Sequence, residues 1–241
     1  MRLVNPSSSR RTATALRSTV TLKAVMAASG LVMVLYLVVH MYGNLKVFSG
    51  QAAFDDYANH LRTIGEPFLP NTGALWIIRV VLLLSVGVHI YAAITLWRRA
   101  RGATAGRGRG RYQSRKNPRG VQRTYASFTL RWGGVVIALF IVYHLLHLTS
   151  NTIHPGGASD SPYLRVVNGF SLWWVVLSYT VALLALGFHI RHGLWSALAD
   201  LGANTSVARR HHLNVAATTI ATVIIVGFLM PPFSILFGWV G

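Results

Sequence analysis

Five long apolar runs, at about 22–46, 73–97, 127–150, 169–199 and 212–238, leave this chain one class of fold. The hydrocarbon core of a bilayer is about 30 Å thick and takes roughly 20 apolar residues in a helix. The runs therefore predict an all-α membrane protein, a bundle of five transmembrane helices. Composition agrees, with 12% of residues charged against about a quarter in a soluble domain. Residues 1–21 read as a basic cytoplasmic tail, and residues 22–241 as a single five-helix transmembrane domain. Arg10-Arg11 stands near the start. The sequence after it lacks the twin-arginine export pattern, and the apolar run from Ala24 is too long for a cleaved signal, so this run is expected to be a retained first helix.

Charge sets the direction. Lys and Arg number 23 against 5 Asp and Glu, a formal net charge of +18. In a soluble protein such a balance would suggest nucleic acid. Here the basic residues fall between apolar runs, so membrane topology explains them and no nucleic-acid partner is expected. The N-terminal tail holds Arg2, Arg10, Arg11, Arg17 and Lys23, and the link from Arg98 to Arg123 holds ten basic residues and no acid. Arg209 and Arg210 lie on the same side, whereas the opposite links carry Asp55, Asp56, Glu66 and Asp160. The positive-inside rule puts the N-terminus in the cytoplasm and the C-terminus outside. The Gly/Arg-rich stretch 102–110 reads as a topology determinant facing water and anionic lipid, with docking of a soluble partner as the other reading. The absence of cysteine excludes disulfides, thiolate-held iron–sulfur clusters and c-type haem attachment within this chain.

Ionisable side chains deep in a membrane are costly, and function is their default reading. Four of the five runs carry a deep histidine: His40, His89, His144 and His189. At about 1.5 Å per residue, His40 and His144 lie about 24 and 20 Å from the cytoplasmic edge, and His89 and His189 about 13 and 16 Å. Two levels with two imidazoles each, from different helices, is what bis-histidine ligation of two b-type haems requires. Interhelical hydrogen bonding is the competing role for a single membrane histidine. His147 and His192 stand three residues from a candidate ligand, and are expected to bond haem propionates or line a quinone pocket. Arg79, Arg131 and Arg191 are candidate propionate partners, with snorkelling to the interface as the other reading. Gly30 and Gly134, ten residues before His40 and His144, would leave room for a macrocycle or for close helix packing.

Arg131-Trp-Gly-Gly followed by His144, and Phe188-His189-x-x-His192-Gly193-Leu194-Trp195-Ser196, resemble the cytochrome b subunit of succinate:quinone oxidoreductases. The likeness is to the single-subunit, five-helix, dihaem class that works with menaquinone, and it runs over nearly the whole chain. It implies that His40 and His144 ligate the outer (distal) haem, and His89 and His189 the inner (proximal) haem. It also implies a bacterial cell-membrane protein, anchoring a flavoprotein subunit and an iron–sulfur subunit on the cytoplasmic side and passing electrons from succinate to menaquinone. Some members that oxidise menaquinol carry a glutamate two residues before the proximal ligand of helix four, and here that position is Gly187. The outer link offers His60 and Glu66 as candidate quinone-site residues, since quinone reduction takes up protons; a short solvated surface helix is the other reading. The competing functions are the cytochrome b subunit of a hydrogenase or nitrate reductase, and a transporter built on buried His and Arg.

Overall fold

In the computed structural model, residues 18–105 and 120–241 are described. Most of the basic tail and the Gly/Arg-rich stretch lie outside these residues. All regular structure in the described residues is helical. Helix α1 spans Thr19–Leu45 and continues as a 3-10 turn, Lys46–Ser49. Then come α2 (Gln51–Thr63), α3 (Gly73–Ala105), α4 (Gly120–His144) with a π-helical turn at Leu145–Thr149, α5 (Pro162–Phe170), α6 (Trp173–Asp200) and α7 (Val207–Leu236).

Five of these segments are long and apolar enough to cross a bilayer: Thr19–Ser49, Gly73–Gly102, Leu130–Thr149, Trp173–Asp200 and Val207–Leu236. Their outer faces show why lipid is needed. Leu35, Leu83, Leu139, Val181 and Val223 are all more than half exposed, a surface a water-soluble monomer would not present. The chain is a multi-pass membrane protein.

Local chemistry sets the ends. Ser18, Ser161 and Ser206 each accept a hydrogen bond from the backbone N–H three residues on, capping α1, α5 and α7. Gly50 takes a positive φ of 85° and so lets the chain turn into α2, the short surface helix of the first outer link. The expected fourth span needs a correction at its start. The span does not begin at residue 169: Pro162–Phe170 is a separate helix, and Leu172 is extended before Trp173 begins α6. Phe170, Leu172, Trp173 and Trp174 keep hydropathy high across the backbone break, although Gly169 stands three residues before Leu172.

Helix α6 packs against α7, α4 and α1, and α1 packs against α3 and α7. One core cluster, around Val47, Tyr163, Phe170, Val176, Tyr179 and Ile235, fills the end of the bundle that carries α2 and α5. A second, Leu183, Ile190, Ala221, Ile224 and Ile225, lies along α6 and α7. Asp55 of α2 ties the capped end together: it accepts from Ser161 Oγ at 2.6 Å and from the Tyr163 backbone N–H at 3.0 Å. At the opposite end Lys23 reaches Asp200 at 3.0 Å, linking α1 to α6.

Candidate cofactor site

The four deep histidines meet as two pairs. His40 on α1 faces His144 on α4 with ring centroids 5.8 Å apart and planes at 83°. His89 on α3 faces His189 on α6 at 6.1 Å and 60°. Among the described residues, α1 and α4, and likewise α3 and α6, have at most marginal direct packing as helices. Each imidazole pair thus bridges a gap between two backbones. His40 and His144 sit toward the end with α2 and α5, and His89 and His189 toward the end with Lys23 and Asp200.

Two glycines mark one of these levels. A Cβ at Gly30 would lie 3.4 Å from His89 Cε1, and one at Gly134 would lie 3.7 Å from His189 Cε1. Both glycines therefore flank the His89–His189 pair, although each shares its helix with a histidine of the other pair. Ten helical residues, about 15 Å along the axis, separate each glycine from the histidine of its own helix.

Polar contacts orient some of the rings. His89 Nδ1 donates to the Met26 carbonyl at 3.1 Å and lies 3.3 Å from Ser29 Oγ. That leaves Nε2 as its remaining ring nitrogen toward the partner imidazole. His144 Nδ1 lies 3.3 Å from the Tyr179 hydroxyl. His40 stacks on Tyr36 at 5.2 Å and meets Phe228 at 5.7 Å.

The donor set fits haem. A metal between two imidazoles, with metal–nitrogen bonds of about 2 Å as in zinc sites and about 1 Å from nitrogen to ring centre, needs centroids about 6 Å apart. Both pairs meet that requirement. Among the described residues no three His, Cys, Asp or Glu side chains gather at one point. Two facing imidazoles leave the equatorial positions to a macrocycle, as haem supplies them.

The other candidates scatter. His147 is buried, 2% exposed, with Nδ1 on the Tyr179 hydroxyl at 3.0 Å. His192 bonds the Phe188 carbonyl of its own helix at 3.2 Å. Arg191 donates to Thr218 Oγ1 and Asn214 Oδ1 of α7, at 3.0 and 3.1 Å. Arg79 lies over Trp76 and Arg131 over Trp97, at 5.0 and 6.0 Å from the ring centres. His60 and Glu66 are exposed on the link that holds α2, and Glu66 accepts from Asn71 at 3.3 Å. Met26, Ser29, Phe228 and Tyr179 escaped the sequence reading. Only Tyr179 carries a signal, standing ten residues before His189 as Gly30 stands before His40.

Residues 109–226 match the family of succinate dehydrogenase/fumarate reductase transmembrane subunits. That segment is just under half of the chain. No curated protein and no solved structure matches it. The matched segment takes in His144 and His189, one histidine of each pair, together with Gly134, Tyr179 and Gly187. It is shorter than the nearly whole-chain likeness read from the motifs, and His40 and His89 precede it. Gly187 has a physical reason to lack a side chain, since a Cβ there would stand 2.9 Å from Ile225 Cγ1 of α7.

Proposed function

We propose that this membrane anchor subunit carries two b haems and passes electrons from a cytoplasmic iron–sulfur subunit, docked with its flavoprotein, to menaquinone. The observation that carries the reading is the pair of facing imidazole pairs, each between helices with at most marginal direct packing. His40 and His144 would hold the outer haem, and His89 and His189 the inner haem. When bound, the two haems supply one-electron redox centres at two depths. The protein's part is to present the nitrogens and keep water out. Met26 and Ser29 fix the His89 ring from α1, and Gly30 and Gly134 leave its level free of side chains.

The charge pattern supports a cytoplasmic N-terminus, which puts the His89–His189 pair nearer the cytoplasm. The family covers both succinate oxidation and fumarate reduction. Gly187 favours the first. Its contact with Ile225 leaves no room for a carboxylate where quinol-oxidising members carry a glutamate. His60 and Glu66 remain candidate proton donors for a quinone on the outer side.

The test is affinity purification of the tagged chain from its native membrane, followed by addition of succinate. Co-purification of a flavoprotein and an iron–sulfur protein, with succinate-dependent appearance of reduced b-haem bands, is expected. A chain that purifies with neither protein, or whose spectrum does not respond to succinate, contradicts the proposal.

A further inference from the structure

The Tyr179 hydroxyl touches two histidines at once. Its oxygen lies 3.3 Å from His144 Nδ1 and 3.0 Å from His147 Nδ1. Tyr179 is buried, packed edge-on against Phe140 and Phe170 at 4.8 Å each. The π-helical turn Leu145–Thr149 follows His144 directly, with Ser150 N–H bonded to the Leu145 carbonyl at 2.8 Å. Such turns commonly occur at functional sites. Here His144 and His147, on either side of its start, converge on one oxygen.

Resting on the dihaem reading above, we propose that Tyr179 is a positioning residue for the outer haem, aiming and polarising the His144 imidazole, and that His147 sets the direction of its hydroxyl. The bonding order follows from proton counting. A His144 that binds iron through Nε2 must carry its proton on Nδ1, so the Tyr179 oxygen accepts there. The phenol then has one proton to give, and His147 Nδ1 is the acceptor within reach. His147 keeps its own proton on Nε2. That nitrogen is buried without a partner and faces Gly169, where a Cβ would stand 2.5 Å away. An unbonded buried nitrogen is a cost that a purely space-filling side chain would avoid. The site retains the histidine because Tyr179 needs its other nitrogen.

An acceptor on the distal nitrogen of a ligating imidazole raises its basicity and steadies its orientation. A more basic ligand favours ferric iron. Removing the acceptor should therefore raise the midpoint potential of the outer haem and leave the inner haem unchanged. Tyr179→Phe keeps the ring contacts and deletes only the oxygen. His147→Leu keeps the oxygen but removes the group that directs its proton.

The measurement is an equilibrium redox titration of the purified complex by visible absorbance, with the low-spin ferric EPR lines recorded on the same samples. Tyr179→Phe is expected to shift the outer-haem midpoint upward and move its EPR line, and His147→Leu to shift both in the same direction by less. Selective loss of the outer haem from Tyr179→Phe would be the stronger form of that result. Unchanged midpoints and lines in both variants, a shift confined to the inner haem, or loss of both haems from Tyr179→Phe would overturn the role of Tyr179. A wild-type chain without haem would instead overturn the dihaem reading itself.

Discussion

Gly30 lies against His89, close enough that a Cβ would stand 3.4 Å from the imidazole Cε1. The glycine shares α1 with His40, yet it serves the other pair. A methyl group at 3.4 Å is close to ordinary contact, whereas a longer side chain would enter the gap between His89 and His189. Gly30→Ala should retain both haems, and Gly30→Leu should lose or distort the inner haem while the outer one stays. Difference spectra of the two variants, titrated to separate the haems, provide the check.

Replacement of the four paired histidines should divide cleanly by pair. Ala at His40 or His144 should remove one haem, the same one, and Ala at His89 or His189 the other. Haem content should fall by about half in each, since one iron would lose one of its two imidazoles. His192→Ala should keep both haems, as its ring bonds its own helix at Phe188. Pyridine haemochrome assays on the five variants read this out.

Asp55 shares the outer link with His60 and Glu66, but its carboxylate is already engaged by Ser161 and the Tyr163 N–H. Asp55→Ala should cost about 1–3 kcal/mol of stability by leaving buried donors unpaired. The thermal midpoint of the complex should fall, while quinone reduction per intact complex stays near wild type. A selective loss of quinone reduction with unchanged stability would give Asp55 a chemical role.

The spans and the pairing of depths were legible because both rest on one-dimensional rules. Hydropathy locates apolar runs, and 1.5 Å per residue converts position into depth. His40 and His144 came out at one level by that arithmetic, and the structure brings their rings to 5.8 Å. What depends on rotation about a helix axis was not legible. Gly30 and Gly134 could not be assigned to the His89–His189 level, nor Tyr179 to both His144 and His147, without knowing which face each presents. Arg191 shows the same limit. Its depth suggested a carboxylate partner, but its side chain meets Thr218 and Asn214 of the neighbouring helix. The break before α6 was hidden because apolar residues run across it, and Gly169 alone does not tell a helix end from close packing.

Succinate is a weak reductant for menaquinone, so the proposed transfer needs a supporting force. An electron moving from the inner to the outer level goes from the negative to the positive side of an energised membrane. That movement releases about 2.3 kcal/mol per charge for each 100 mV crossed. Gly187, closed off by Ile225, offers no carboxylate for a compensating proton. Succinate:menaquinone activity in energised vesicles should fall when the potential is collapsed, while succinate oxidation by an artificial acceptor at the flavoprotein holds steady.

The two facing imidazole pairs are the centre of the account, and haem stoichiometry of the purified chain tests them most directly. Pyridine haemochrome analysis against polypeptide concentration should give two haem b per chain, and the near-infrared magnetic circular dichroism of the ferric form should show bis-histidine ligation for both. One haem per chain, none, or a ligand other than histidine on either iron would contradict it.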